Sequence, residues 1–222
     1  MLLASEDTEE NTGSMSDQQV RDECVTVMLA GNETTANALS FALWLLARYP
    51  DEQQRLHDEA LAVLGPHEAA TAEHYPRLRR AWLCFAESMR LYPPVWVTAR
   101  TAAVPYQLRG FTIPKGSLLL APQWIMHRDP RFWDRPDAFE PDRFADDGAK
   151  ARRPRMSYFP FAAGARQCIG EGLAWMEGVL TLATVARSWR LSLPEDSPTE
   201  LPIQARVTLR PKGPLRLAVD RW

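Results

Sequence analysis

Phe161-Ala162-Ala163-Gly164-Ala165-Arg166-Gln167-Cys168-Ile169-Gly170 is the stretch on which the reading of this chain turns. Glycines close on either side of the cysteine suit a tight loop with exposed backbone N–H groups, because glycine adopts conformations closed to other residues. An apolar-periodic segment, Ile169–Trp189, follows at once and reads as a helix. Its N-terminal dipole favours an anion at Cys168. Arg166 adds positive charge two residues away, and both effects favour a thiolate. A thiolate held in a buried loop is a soft, electron-rich ligand suited to iron. A lone cysteine at a helix start is ordinarily just a small buried hydrophobe. Cys24 and Cys84 fit that plainer description, whereas Cys168 stands in the fixed company of Phe161, Gly164, Arg166 and Gly170.

Far upstream, Ser16-Asp17-Gln18-Gln19 reads as a capping box opening a helix that runs to Tyr49, where Pro50 stops it. A helix of that length spans roughly 50 Å, enough to cross a whole domain. Cys24–Ala30 is apolar nearly all round, which marks a buried helix. Gly31-Asn32-Glu33-Thr34-Thr35 then breaks the pattern before apolar residues resume at Leu39. Glycine costs a helix interior about 1 kcal/mol against alanine, and a buried carboxylate is expensive unless paired. Thr34 can bond back to the carbonyl of Ala30 and bend the helix. Two readings stand side by side: a kinked core helix whose Glu33 emerges at the surface, or an acid–alcohol pair that passes protons to a ligand.

Between these ends, helices fit Asp51–Leu64 and Arg77–Leu91, closed by Gly65-Pro66 and Pro93-Pro94. Glu87 and Arg90, three apart, share a helix face with apolar neighbours. Alone, such a pair is ordinarily a solvated surface contact; a third charge such as Arg143 would turn it into a buried network. Val95–Thr101, Tyr106–Arg109 and Ser117–Ala121 read as strands, residues 123–160 as irregular with short helical turns, and Leu193–Val219 as short strands. The expected architecture is mainly α with small β-sheets (α+β): one domain over residues 16–222, preceded by an acidic lead loop over residues 1–15.

Bulk composition narrows the function. Twenty-six basic against 28 acidic residues give a net charge of -2, with no electrostatic footprint for nucleic acid. No apolar run reaches membrane-spanning length, the start lacks a secretory pattern, and three scattered cysteines point to a reducing, cytoplasmic setting without disulfides.

Taken in order, these segments resemble the signature set of the cytochromes P450. The family pattern Phe-x-x-Gly-x-Arg-x-Cys-x-Gly is matched by Phe161, Gly164, Arg166, Cys168 and Gly170. Ala30-Gly31-Asn32-Glu33-Thr34-Thr35 is similar to the central-helix pattern, Glu87 and Arg90 to the Glu-x-x-Arg pair, and Pro141-Asp142-Arg143-Phe144 to Pro-Glu-Arg-Phe with Asp for Glu. The resemblance runs from about Ser16 to the end and is to the C-terminal half of the family, its N-terminal half being absent. It implies a haem-thiolate monooxygenase using haem b, O2, an apolar organic substrate and a ferredoxin-, flavodoxin- or reductase-type electron donor. It implies Cys168 as the iron ligand, Glu33 and Thr34 as the proton-delivering pair, and Glu87, Arg90 and Arg143 as a buried triad. Arg100 and Arg166 would bind haem propionates, and Phe161 would shield the sulfur. Ala30, Val95, Trp96, Val97, Thr98 and Gln204 fall where substrate contacts are expected, with plain core packing nearly as good a reading. His127-Arg128-Asp129-Pro130 matches a recurrent family segment, with no catalytic role assigned. Lys150, Arg152, Arg153 and Arg155 form a basic cluster on the face where the resemblance implies docking of an acidic redox partner, although a solvated loop is the better reading of the charges themselves. The alternatives are a peroxide-driven hydroxylase or isomerase, against which Glu33 and Thr34 argue, and a remnant that holds no haem. With the pocket open on one side, poor haem binding by the isolated chain is expected.

Overall fold

The computed structural model describes residues 6–7, 13–66, 69–145 and 153–222. Its first long element, α1 (Asp17–Arg48), starts as the sequence dictates: Gln19 N–H donates to Ser16 Oγ and Ser16 N–H to Gln19 Oε1, closing the capping box. Buried residues Ala38, Phe41, Ala42, Leu45 and Leu46 recur at helical spacing and form its inner stripe. Proline opens α2 (Pro50–Leu64) at its first turn, where the missing N–H is harmless. The Arg77–Leu91 helix divides into a 3-10 turn, Tyr75–Arg77, and α3 (Arg79–Leu91). After the short α4 (Gln123–Met126), α5 (Glu171–Ser188) follows the cysteine loop, two residues later than expected at its start.

Helix α5 packs on α1, α2 and α3, and this four-helix layer holds the main core. Gly178 of α5 lets α3 approach: a Cβ there would lie 2.3 Å from the Phe85 ring. The buried Gln53 joins α1, α2 and the strand after α5, donating to the carbonyls of Leu46 and Leu191 at 3.0 and 2.9 Å.

Among the described residues the strands make five separate antiparallel ribbons. They are β1 (Glu6–Asp7) with β2 (Gly13–Ser14), β3 (Thr98–Thr101) with β6 (Leu118–Ala121), β4 (Tyr106–Leu108) with β5 (Phe111–Ile113), β7 (Trp189–Ser192) with β10 (Ala218–Arg221), and β8 (Ile203–Ala205) with β9 (Leu209–Pro211). The mainly α architecture with small peripheral sheets is therefore as expected. Four details differ. The lead is not all loop, since Glu6–Asp7 pairs with Gly13–Ser14. Val95–Val97 lies outside β3, following the two prolines that end α3. Phe111–Ile113 is an additional strand, closed onto β4 by Arg109 and Gly110 in left-handed conformations. Trp189 leaves the fourth helix to begin β7.

The largest correction concerns α1. Its segment Cys24–Ala30 is exposed, with Met28 and Leu29 at 66% and 65%, although its apolar character reads as buried. Periodicity reports the demand for a partner surface; among the described residues nothing packs over this half of the helix. Cys24 is exposed with it, whereas Cys84 is buried.

Candidate functional site

The cysteine loop is built from nested turns. Ala162 N–H donates to Phe159 O, Gln167 N–H to Gly164 O and Cys168 N–H to Phe161 O, each at 3.0 Å. Ala162 and Gly164 both take left-handed backbone angles, φ +61° and +79°. Gly164 fills that role without strain; Ala162 does not. Gly170 needs neither, since an added Cβ would meet only Cys168 Sγ at an ordinary 3.8 Å. The Phe161 ring lies 5.6 Å from Trp175, which stacks on Trp82 at 5.0 Å, so the loop is anchored to α3 and α5. Gly170 caps α5 and no side-chain cap bond is made there, so the first helix N–H groups beyond Cys168 lack a side-chain cap. Glu171 is turned the other way, accepting from Gln167 Nε2 and Trp175 Nε1.

Cys168 is a free and exposed thiol, not the buried group expected. Its surroundings are apolar and equally open: Ile169 is 97% and Leu173 70% exposed. No described segment of the chain covers them. On the Phe161 side, a pocket of about 190 Å³ is lined by residues that include Arg155, Tyr158, Phe161 and Trp175.

Behind the loop stands a buried charge cluster. Glu87 and Arg90 are both fully buried and Arg143 nearly so. Arg90 Nε and Nη2 donate to the Glu87 carboxylate at 2.7 and 2.8 Å, and Arg143 Nε donates to Glu87 Oε1 at 3.1 Å. The remaining Arg90 N–H groups reach the carbonyls of His127, Pro136 and Ala138, so all five donors of the guanidinium are used. The Glu140 N–H adds a bond to Glu87. Such a fully satisfied network is costly to break although its net gain is small.

His127, in the segment given no catalytic role, belongs to this layer. It is fully buried, and its Nε2 accepts from Phe159 N–H at 3.0 Å. Burial, reinforced by the Arg90 charge, pulls its pKa down to about 3, so the ring is neutral. The sequence signal was the motif itself; what was missing was the tertiary contact that gives it a task.

On α1, Thr34 Oγ1 donates to Ala30 O at 2.7 Å, the back-bond expected from the sequence. Glu33 is exposed rather than buried, and it accepts from Thr208 Oγ1 at 2.5 Å. Asn37 Nδ2 also donates to Thr208. Thr208 was not singled out by sequence, being one threonine in a polar turn. It sits between β8 and β9, so the turn near Gln204 is tied to the helix carrying Glu33. The same hairpin meets the segment after α3: Trp96 Nε1 donates to Arg206 O and Leu209 N–H to Pro94 O. Ala30 is exposed and Val95–Thr98 half-buried. Gln204 pairs with Arg210 in the ribbon.

Of the remaining cations, Arg100 and Arg166 are exposed, Arg100 donating to Ala99 O. Arg166, on the Gly164–Arg166 turn, makes no hydrogen bond or ion pair among the described residues. Arg153 does not lie in a solvated loop: it stacks over Trp133 and donates to Arg143 O. Arg155 is exposed, and Lys150 and Arg152 lie outside the described residues.

Among the described residues no group of three or more His, Cys, Asp or Glu could hold a bare metal ion. The donor set fits haem: one free thiol, open apolar residues beside it, and the exposed Arg166 and Arg100 as cations for carboxylates. The sequence profile of the family described as Cytochrome P450 matches residues 1–219. The chain belongs to the cytochrome P450 family. Among its P450 relatives, cyclooctatin synthase of Streptomyces melanosporofaciens is 42% identical over 86% of this chain. Cyclooctat-9-en-7-ol 5-monooxygenase of the same organism is 38% identical over the same share. The chain spans 41% of the length of each. A solved structure, the cytochrome P450DA heme domain, superposes with a TM-score of 0.90 at 29% identity, covering 100% of this chain and 48% of that one. The mixed helix and sheet topology is thus that of P450 domains. No helix among the described residues is long and apolar enough to cross a membrane.

Proposed function

We propose that this chain is the C-terminal, cysteine-bearing half of a P450 monooxygenase, one domain segment over residues 16–222, acting on a small apolar organic substrate. The carrying observation is the free, exposed Cys168 at the start of α5, on a loop anchored to the buried Glu87–Arg90–Arg143 cluster. The name of one relative, a monooxygenase, supports the same reaction class.

When bound, haem b supplies reductive activation of O2 and transfer of one oxygen atom to the substrate. Cys168 Sγ would hold the iron as a thiolate, its charge favoured by the N-terminus of α5 and by Arg166. The Phe161 ring shields it from water on the Trp175 side, and Gly164 and Gly170 keep side chains away from the bound face. Arg166 and Arg100 would hold the propionates by charge-assisted bonds. The buried triad keeps this scaffold rigid. On the opposite wall, Glu33 exchanges protons with water, and Thr34 relays them from Oγ1, the neighbouring position on the helix. Thr208, by donating to Glu33 Oε1, leaves Oε2 as the free oxygen. Val95, Trp96, Val97, Thr98, Ala30 and Gln204 face the substrate, and the Glu33–Thr34 pair favours O2 over peroxide as oxidant. Arg155, with Lys150 and Arg152, steers an acidic electron donor of the ferredoxin or flavodoxin kind in the cytoplasm.

The test is the absorption spectrum of the reduced, CO-treated chain expressed with haem supplied. The expected result is a strongly red-shifted Soret band that Cys168→Ala abolishes while far-UV circular dichroism is unchanged. A haem-containing protein with the same band in Cys168→Ala would overturn the ligand assignment.

A further inference from the structure

His127 stands between the cysteine loop and the Glu87–Arg90 cluster. His127 presents its carbonyl to Arg90 Nη1 at 2.8 Å and its Nε2 to Phe159 N–H at 3.0 Å. From Phe159 the path is short. Its carbonyl accepts from Ala162, and the next carbonyl but one, that of Phe161, accepts from Cys168 N–H. The imidazole is clamped by rings on the loop side, 5.1 Å from Tyr158 and 5.4 Å from Phe159. Tyr158 itself donates to Ala86 O on α3. The ring is fully buried, and the backbone of Met89 and Arg90 in α3 supplies its other polar neighbours.

A buried N–H left without an acceptor is costly, so the loop's entry depends on that one nitrogen. An acceptor at Nε2 also fixes the tautomer: the proton resides on Nδ1. We infer that His127 is the positioning residue of the cysteine loop, a neutral imidazole whose Nε2 holds the Phe159 amide and transmits the register of the buried Glu87–Arg90 cluster to Cys168. This rests on the reading of Cys168 as the iron ligand only for its consequence, not for the contact itself.

The contact fixes what each replacement does. Leucine fills the cavity and removes the acceptor. Glutamine keeps an amide oxygen that can reach the same N–H. The arrangement therefore separates shape from hydrogen bonding at one site.

Three measurements on the 222-residue chain test this. First, histidine-selective 15N NMR of the wild type, tractable with four histidines and assigned through His127→Gln, should show Nδ1 protonated and Nε2 bare. The opposite tautomer overturns the inference whether or not any variant folds. Second, amide exchange in the haem-free chain should accelerate about tenfold across residues 159–168 in His127→Leu. Exchange in α2 should stay unchanged, and His127→Gln should restore most of the protection. Equal exchange in the loop overturns the proposal. Third, in haem-loaded protein, His127→Leu should keep its haem content yet lose more than half of the red-shifted CO band, with partial rescue by His127→Gln. A full band in His127→Leu overturns the positioning role. The first two measurements need no haem, so failure of the haem assignment leaves them readable and distinct.

Discussion

Two regions of this chain carry charged residues in apolar company, and they end in opposite surroundings. In α3, Glu87 and Arg90 are fully buried, every guanidinium N–H is matched, and the flanking apolar residues are packed. In the leading half of α1, Glu33 is exposed and the apolar run before it faces solvent, Val27 at 56% and Met28 at 66%. The difference lies in what packs opposite. Helix α3 is covered by α1, α5 and the Pro141–Phe144 turn, while α1 has buried residues only from Thr35 onward. Apolar surface states a demand; only a partner element meets it. The chain spans 41% of the length of a curated relative it matches, and unmet demand is seen on α1 and around Cys168 as well as on the ribbons, where Phe111 and Leu118 are 76% and 64% exposed.

The sharpest way to break the comparison is to remove one charge from the buried side. Arg90→Leu leaves Glu87 with Arg143 and the Glu140 N–H as its partners and frees three backbone carbonyls. A loss of about 3–5 kcal/mol is expected, read from urea unfolding by the fluorescence of the eight tryptophans. A loss below about 1 kcal/mol would mean that this cluster is no more consequential than a surface pair. Next in size is acid. In the unfolded chain His127 takes up a proton near pH 6.5, whereas in the fold it stays neutral down to about 3, by burial first and the Arg90 charge second. Between those values the unfolded state binds the extra proton, so stability falls as pH falls, by about 1.4 kcal/mol per pH unit. Above pH 6.5 this contribution is constant. The groups facing the ring are Arg90 from α3, the adjacent Arg128 and Tyr158 from the loop. Carboxylates also titrate in acid, so the measurement is the difference between wild type and His127→Gln across pH 3–7. Parallel stability curves would remove His127 from the account.

How much of this was legible in the sequence follows the same division. Capping at Ser16, the stop at Pro50 and the loop around Cys168 are written in local chemistry, and local chemistry is what a sequence displays. Glu87 and Arg90 read as a shared helix face, but their burial depended on Arg143, Glu140 and three carbonyls from distant loops. Thr208 gave no local signal at all; its role comes from a contact across 175 positions with Glu33. The apolar run of α1 was read as buried for a sound reason and is exposed for an equally sound one. Periodicity reveals which face wants covering and is silent on whether the cover is present.

Gly178→Ala probes the packed side without any charge. The added methyl would meet the Phe85 ring at 2.3 Å, inside the core that α3 and α5 share. Rings in such a core yield only by shifting their neighbours, so a loss of about 1–3 kcal/mol is expected in the same urea experiment. A neutral result would show that α5 can move away from α3, and the loop at its N-terminus with it.

Gly31→Ala is the counterpart on α1, with the smallest expected effect and the opposite sign. Nothing lies within 4 Å of the position a Cβ would take there, and the residue is inside a continuous helix. Alanine removes backbone freedom from the unfolded chain and adds no clash, so a gain of up to about 1 kcal/mol is expected in the haem-free protein. Most helical glycines with open surroundings should behave this way, which makes the haem-loaded state the informative comparison. If a ligand closes against α1 beside Glu33, the same methyl then has something to meet, and the gain should shrink or reverse when haem is present. Equal stabilisation with and without haem would place the bound group away from this glycine and leave the break at Gly31-Asn32 without a ligand-side cause. A loss in the haem-free chain would mean that this half of α1 is already covered, and the contrast with α3 would fail at its weaker end.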